Sequence, residues 1–88
     1  MRQMAIDTRS GEELFALLST REREVLELTA RGLTNAQVAG ELYVTTHAVK
    51  FHLAAIYRKL GVANRTEAAA RYVALVGGGA GSISERGA

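Results

Sequence analysis

The side chains best suited to bind a charged partner lie between residues 42 and 66. This segment carries four cations and no acid: Lys50, Arg58, Lys59 and Arg65. Residues 1–41 have the opposite balance, with five arginines against seven acids, or −2. A local charge of +4 favours a polyanion such as nucleic acid, although a solvated basic helix face would have the same composition.

Residues 46–60 have the spacing of an amphipathic helix with two different faces. At about 100° per residue, four aliphatic side chains fall within roughly 60° of one another and predict a buried face. They are Val49, Leu53, Ile56 and Leu60. Nearly opposite, within roughly 100°, lie two cations, an imidazole, a phenyl ring and a methyl group. These are His47, Lys50, Phe51, Ala54 and Arg58.

This second face has the groups that read DNA in a major groove. Lys50 can donate to guanine O6 or N7 or to a phosphate, while Phe51 can contact a thymine methyl group or a base edge. The small side chain of Ala54 permits close approach. Thr45 and Thr46 stand at the helix N-terminus, where hydroxyl and N–H groups bind phosphate, and either can also cap the helix. The alternative for Phe51 is an ordinary exposed apolar residue, which is common on proteins.

Catalysis or metal binding would need a different set of residues. His47 and His52 project about 140° from each other on one helix, so they cannot share a metal ion. The chain has no cysteine that could complete such a site or form a disulfide. We therefore predict that the protein is not an enzyme and has no cofactor and no bound metal.

Capping signals and glycines place this helix within a set of four. Ser19 to Glu22 forms a capping box that starts the first helix, and Gly32 ends it. Gly61 ends the helix over residues 46–60, and Asn64 caps the one that follows. The predicted helices cover residues 20–31, 35–42, 46–60 and 65–76.

The length of 88 residues allows one small domain. We expect residues 1–17 to form an arm, a linker or a short helix, residues 18–76 the domain, and residues 77–88 a disordered glycine-rich tail. No apolar run approaches the roughly 20 residues of a membrane helix, and Asp7 interrupts any signal peptide. The sequence therefore predicts a cytoplasmic protein without a membrane partner.

Two short helices joined by about three residues, the second one basic, have the outline of a helix-turn-helix. The residues around it resemble the LuxR/GerE-type DNA-binding domain of bacterial transcription regulators, from residue 18 to about 76. The resemblance rests on Leu18-Ser-Thr-Arg-Glu-Arg-Glu-Val-Leu26, Gly32-Leu-Thr-Asn35, Val38-Ala39, Val49-Lys50, His52, Lys59-Leu-Gly-Val62 and Asn64-Arg65. The sequence departs from the family pattern at Ala48, where threonine is usual, and at Thr45, where serine is common.

The resemblance implies an all-α, four-helix domain whose second and third helices bind DNA and whose fourth mediates dimerisation. By position, Lys50, Phe51 and Ala54 fall where the family contacts bases, and Thr45 and Lys59 where it contacts the backbone. The complete predicted DNA-binding set is Asn35, Thr45, Thr46, His47, Lys50, Phe51, Ala54, Arg58 and Lys59. The predicted dimer surface, on a broad apolar arc of the fourth helix, consists of Ala68, Ala69, Tyr72, Val73 and Val76.

The resemblance also implies that Glu22 or Glu24 pairs with a later cation such as Arg65. A sensor or receiver domain usually comes first in this family, so the chain is either a fragment or a small stand-alone member. We predict a sequence-specific DNA-binding domain that binds double-stranded DNA as a homodimer, with RNA polymerase as a further candidate partner. The alternatives are a module like region four of a sigma factor and a helical protein-interaction domain.

Overall fold

The computed structural model describes residues 10–77, which form five α-helices and no strand. They are α1 (Gly11–Phe15), α2 (Thr20–Ala30), α3 (Asn35–Leu42), α4 (Thr46–Leu60) and α5 (Arg65–Gly77). Helices α2 to α5 match the four predicted helices to within one residue at each end. Residues 1–9 and the predicted tail beyond residue 77 lie outside the described range.

The helix N-termini follow the predicted capping chemistry with one variation. Capping boxes start α1, α2 and α3 by pairing Ser10 with Glu13, Ser19 with Glu22 and Thr34 with Gln37. Thr45, not Thr46, caps α4, and its hydroxyl accepts the N–H three residues on at 3.0 Å. Asn64 accepts the Glu67 N–H at 2.9 Å, but the Glu67 carboxylate accepts the N–H of Ala63 instead of that of the cap.

The core lies between α2 and α4, with the other helices around them. Helix α2 packs against α4 and α5, and α3 packs against α4. The predicted buried face of α4 is confirmed, and Ala55, which the helical spacing did not include, is buried beside it. The other buried apolar residues are Leu14, Leu18, Val25, Leu26, Val38, Ala39 and Ala68. Because one face of α4 is fixed by this packing, the opposite face is held in a defined direction.

Helix α1 lies within the predicted arm of residues 1–17 and packs against the helices of the domain. The Phe15 ring lies 6.2 Å from the Tyr72 ring of α5, and the Arg23 guanidinium lies 4.9 Å from the centre of the Phe15 ring. A Cβ atom at Gly11 would come within 2.9 Å of the Leu75 side chain. Helix α1 therefore packs closely on α5.

Candidate nucleic-acid interface

The outer face of α4 is a continuous solvent-exposed stripe. Its members are Thr46, His47, Lys50, Phe51, Ala54 and Arg58, all exposed as predicted. At 1.5 Å per residue, the stripe from His47 to Arg58 is about 16 Å long. Phe51 is 70% exposed, and its ring meets the half-buried His52 ring edge-on at 6.0 Å. The phenyl ring therefore contributes little to the core and is open to a partner. We call this set the α4 stripe.

The cations of the α4 stripe differ from those of α2 in their partners. Arg21 on α2 and Arg31, which caps the C-terminus of α2, form ion pairs with Glu24 at 3.2 Å and with Glu27 at 2.7 Å. Within residues 10–77, no carboxylate lies within 4.0 Å of the cationic groups of the stripe, Lys50 and Arg58. Their charge is therefore available to an anion outside the domain.

The N-terminus of α4 adds neutral donors beside the stripe. The Thr45 hydroxyl accepts the Ala48 N–H, which leaves its own proton free to donate. The first backbone hydrogen bond of α4 runs from the Val49 N–H to the Thr45 carbonyl at 3.1 Å. The N–H groups of Thr46 and His47 come before it, so they have no acceptor within the helix. Such a terminus favours a phosphate oxygen.

Lys59, predicted to contact the DNA backbone, has a partner inside the domain. Its Nζ donates to Oε1 of Glu22 at 2.8 Å, and the Ser19 N–H donates to the same oxygen at 2.8 Å. Burial raises the pKa of Glu22, but the hydrogen bond and charge of Lys59 and the bonds from Ser19 outweigh it, so the pKa is lowered. Lys59 is half-buried and joins the last turn of α4 to the first turn of α2.

Asn35 and Arg65 form a second internal contact. Nη1 of Arg65 donates to the Asn35 side-chain oxygen at 2.7 Å, and Nη2 donates to the Leu33 carbonyl. The cation that pairs with Glu22 is thus Lys59, and Arg65 ties the start of α5 to the start of α3. Arg71 donates to the Leu60 carbonyl at 3.0 Å and so holds the C-terminus of α4. This Arg71 contact could not be predicted from the sequence, because no local pattern distinguishes Arg71 from an exposed arginine.

The predicted dimer surface on α5 needs one correction. Ala68 is fully buried in the domain's own core, because it lies on the side of α5 that packs against α2 and α4. It cannot meet a second copy. Ala69 and Tyr72 are half-buried, whereas Val73 and Val76 are 56% and 55% exposed. The available apolar surface of α5 is therefore narrower than predicted and centres on the two valines.

A groove of about 250 Å³ between α2 and α3 has the opposite charge to the α4 stripe. It is lined by Glu24, Glu27, Leu28, Arg31, Glu41 and Leu42.

Burial, followed by the negative charge of Glu27, raises the pKa of the Tyr72 phenol. Within residues 10–77, no three acidic or histidine side chains are placed to hold a metal ion, and no helix is long and apolar enough to cross a membrane.

Comparison with known proteins gives consistent matches over this region. The family model described as GerE, bacterial regulatory proteins of the luxR family, matches residues 16–72. A probable transcriptional regulatory protein SgaR from Hyphomicrobium methylovorum is 45% identical over 58 residues, or 66% of this chain and 28% of that protein. A probable transcriptional regulatory protein NarL from Mycobacterium tuberculosis is 48% identical over 54 residues, 61% of this chain and 25% of the relative.

A solved structure gives a match of similar extent. It is a low-resolution structure of the response regulator StyR, with a TM-score of 0.67 and 42% identity. The match covers 70% of this chain and 31% of that one. The chain thus spans between a quarter and a third of the length of these relatives.

Proposed function

The chain belongs to the luxR family of bacterial regulatory proteins, and from this premise we propose that its α4 stripe enters the major groove of DNA and reads a specific sequence. The domain is the DNA-binding domain of a transcription regulator. The observation that carries the proposal is the face of α4 turned away from the core, where Phe51 is 70% exposed beside two cations. A single helix fits the groove, which is about 12 Å wide.

Each exposed group of the stripe has a role in this proposal. Lys50, Phe51 and Ala54 face the base edges, Arg58 and His47 lie towards the phosphates, and Thr45 and Thr46 bind a phosphate at the helix N-terminus. We assign Lys59 and Asn35 a different role from the predicted DNA contacts, because both are bonded within the domain. They position α4 and α3 and act on DNA through those helices.

Selection of bound duplexes from a random pool tests sequence-specific binding directly. The protein should enrich duplexes that share one half-site. If no sequence is enriched, the proposal of sequence-specific binding is refuted. The double variant Lys50→Ala with Arg58→Ala should lower the slope of log affinity against log salt by about 0.9, the value for the one phosphate contact assigned to Arg58, and should relax the preference at the base that Lys50 faces. The matched control, Arg21→Ala with Arg31→Ala, removes the same charge from α2 and its C-terminal cap. Equal losses in both pairs would indicate attraction by net charge alone.

We also propose that two copies bind together through the exposed part of α5. The support is the pair Val73 and Val76, exposed one turn apart beside the small Ala69 and the half-buried Tyr72. Two domains related in this way would recognise half-sites about 10 base pairs apart. Val73→Glu should weaken cooperative binding in a gel-shift titration, while Leu17→Glu, at an exposed leucine outside α5, should not. Unchanged cooperativity in Val73→Glu would place the dimer contact elsewhere.

Two further expectations are consequences of transcription regulation. We infer that the protein acts in the cytoplasm, where bacterial DNA lies, and that RNA polymerase is a candidate partner. Co-purification of polymerase with this protein on its own promoter, but not on DNA without that site, tests the second expectation.

A further inference from the structure

Three helices of the domain end in the same way, but one of them has an unusual residue at the end. Helices α2 and α4 terminate at glycines with positive φ, Gly32 at 98° and Gly61 at 69°. Helix α3 terminates at Tyr43, with φ 58°, and the next N–H, from Val44, bonds back to the Ala39 carbonyl at 3.0 Å. Tyr43 is the one non-glycine residue with positive φ among residues 10–77. Its Cβ atom makes this conformation less favourable than it is for glycine.

The Tyr43 side chain does nothing for the domain that would explain its place there. The residue is 94% exposed, more than any other large apolar residue among residues 10–77. No hydrogen bond joins its hydroxyl to another group in that range. Its neighbours Leu42 and Val44 do pack against the core. Between Leu42 and Val44, which face the core, the ring is therefore available to a partner.

The position of Tyr43 indicates which partner it meets. It stands two residues before Thr45, the cap of α4, so the two Cα atoms are at most about 7 Å apart. The residues that follow, Thr45 to His47, are exposed at the helix end that favours phosphate. A phenol donates a hydrogen bond without carrying a charge, and tyrosine is among the residues that contact phosphate in protein–DNA complexes.

We propose that Tyr43 donates a hydrogen bond from its hydroxyl to a DNA phosphate beside the point where α4 enters the groove. This inference rests on the proposed function and adds a residue to the interface. The contact positions the domain on the backbone and is the same for every DNA sequence. It explains why a ring with no internal contacts stands where glycine ends the neighbouring helices.

The test compares Tyr43→Phe with the matched control Tyr57→Phe, which removes a phenol from a half-buried position on α4. Affinity is measured for the selected duplex and for an unrelated duplex of the same length, over a range of salt concentrations. Tyr43→Phe should raise Kd by about 10- to 100-fold on both duplexes, the loss of a hydrogen bond to a charged group. The salt slope should not change, because no cation is removed. Tyr57→Phe should bind like the wild type.

A second variant separates the contact from folding. Tyr43→Gly should lose as much affinity as Tyr43→Phe, without a lower melting temperature, since glycine suits a left-handed helix end. If Tyr43→Phe binds both duplexes as the wild type does, the inference is overturned and the proposed function stands, and the ring is then free for a protein partner. A loss confined to the selected duplex would also overturn it, because it would indicate base reading. If the wild type binds neither duplex, the proposed function itself fails.

Discussion

The two ends of α4 carry similar residues in different surroundings. At its C-terminal end, the ammonium group of Lys59 is held by Glu22 at 2.8 Å, and the Leu60 carbonyl by Arg71 at 3.0 Å. In its N-terminal half, His47, Lys50 and Phe51 extend into solvent, with no carboxylate paired to the lysine among residues 10–77. One end of the helix is bonded to α2 and α5, and the other is exposed to a partner.

This difference indicates how the domain holds the α4 stripe in place. Because a helix is stiff, fixing its C-terminal end and its buried side also fixes the direction of the exposed groups near its N-terminus. If the α4 stripe binds DNA as proposed, we expect Lys59 and Arg71 to influence binding through the placement of α4. Substitutions at the two ends of α4 should then separate stability from binding.

The largest expected effect comes from the buried side of α4. Ile56→Ala removes a wholly buried side chain from the core face of α4, which should lower the free energy of unfolding by about 2–5 kcal/mol. At roughly 4–8 °C per kcal/mol for a domain of this size, the melting temperature should fall steeply. Urea unfolding followed by circular dichroism measures the change. A loss below about 1 kcal/mol would mean that the core does not anchor α4 at this position.

The next largest effect separates two lysines on the same helix. Lys59→Met leaves the Glu22 carboxylate buried without its cation, which should cost about 1–3 kcal/mol of stability. Lys50→Met, the matched control, should change stability by less than about 0.5 kcal/mol, since Lys50 is exposed and has no ion pair in the described part of the chain.

DNA binding should rank the same two variants in the opposite order. Lys50→Met should relax the preference for guanine at one position by about 1–3 kcal/mol, because the proposed function places Lys50 at the base edges. At a temperature where both variants are folded, Lys59→Met should keep the wild-type salt slope. A lower salt slope in Lys59→Met would indicate that Lys59 contacts the DNA backbone and would contradict its positioning role.

Low pH should destabilise the C-terminal end of α4, where Lys59 pairs with Glu22, more than its N-terminal end. Lys59 and Ser19 hold the pKa of Glu22 below its ordinary value, which is about 4.3 in an unfolded chain. The folded state therefore gains stability from Glu22 above that value and loses it as the pH falls through the lowered pKa. Glu22→Gln should be less stable than the wild type at pH 7, and this difference should shrink below pH 4.

A double-mutant cycle assigns this pH dependence to the pair. In a Lys59→Met background, Glu22→Gln should have a smaller effect on the acid side of the stability profile, because the attraction that lowers the pKa is absent. Thermal unfolding between pH 2 and pH 7 provides the measurement. If Glu22→Gln changes the profile equally in both backgrounds, another group must hold the Glu22 carboxylate.

The sequence was sufficient for the helices and for the two faces of α4, because both depend on local patterns. Capping residues lie three positions apart, and the buried residues of α4 follow the helical period, so short-range rules predict them. The partners of Lys59 and Arg65 could not be predicted in this way, since they lie 37 and 30 positions away. The helical spacing indicates that a cation lies near the outer face of a helix. Whether that cation also bonds to another residue of the domain depends on how α2 and α3 pack against the helix.

The burial of Ala68 could not be predicted for a related reason. Alanine fits a helix surface, a close helix crossing and a dimer contact equally well, so its type does not say which side of α5 faces the core. Tyr43 lies in the connection of about three residues between two predicted helices, and no local pattern predicts its left-handed conformation, which depends on how α3 ends. The family resemblance indicated the function, and the structure separates exposed residues of α4 from residues such as Lys59 and Asn35 that are bonded within the domain.

The smallest expected effect on stability is that of Phe51→Ala, on the free side of α4. Because the ring is 70% exposed, its loss should change the free energy of unfolding by only a few tenths of a kcal/mol, far less than the change at Ile56. If the ring contacts a thymine methyl group, the variant should nevertheless lose about 1–3 kcal/mol of discrimination at one position of each half-site. Nonspecific affinity should barely change, since phosphate contacts supply most of it.

Competition between the selected duplex and duplexes with single base changes measures this discrimination, and thermal unfolding measures the stability of the same preparation. Phe51→Leu is the informative second variant, because it keeps an apolar side chain that can still meet a methyl group but removes the ring. It should retain part of the preference if apolar contact is the basis of recognition. A large fall in the melting temperature of Phe51→Ala, or a preference unchanged at every base, would remove Phe51 from the DNA-reading surface and leave Lys50 as the main candidate for direct readout.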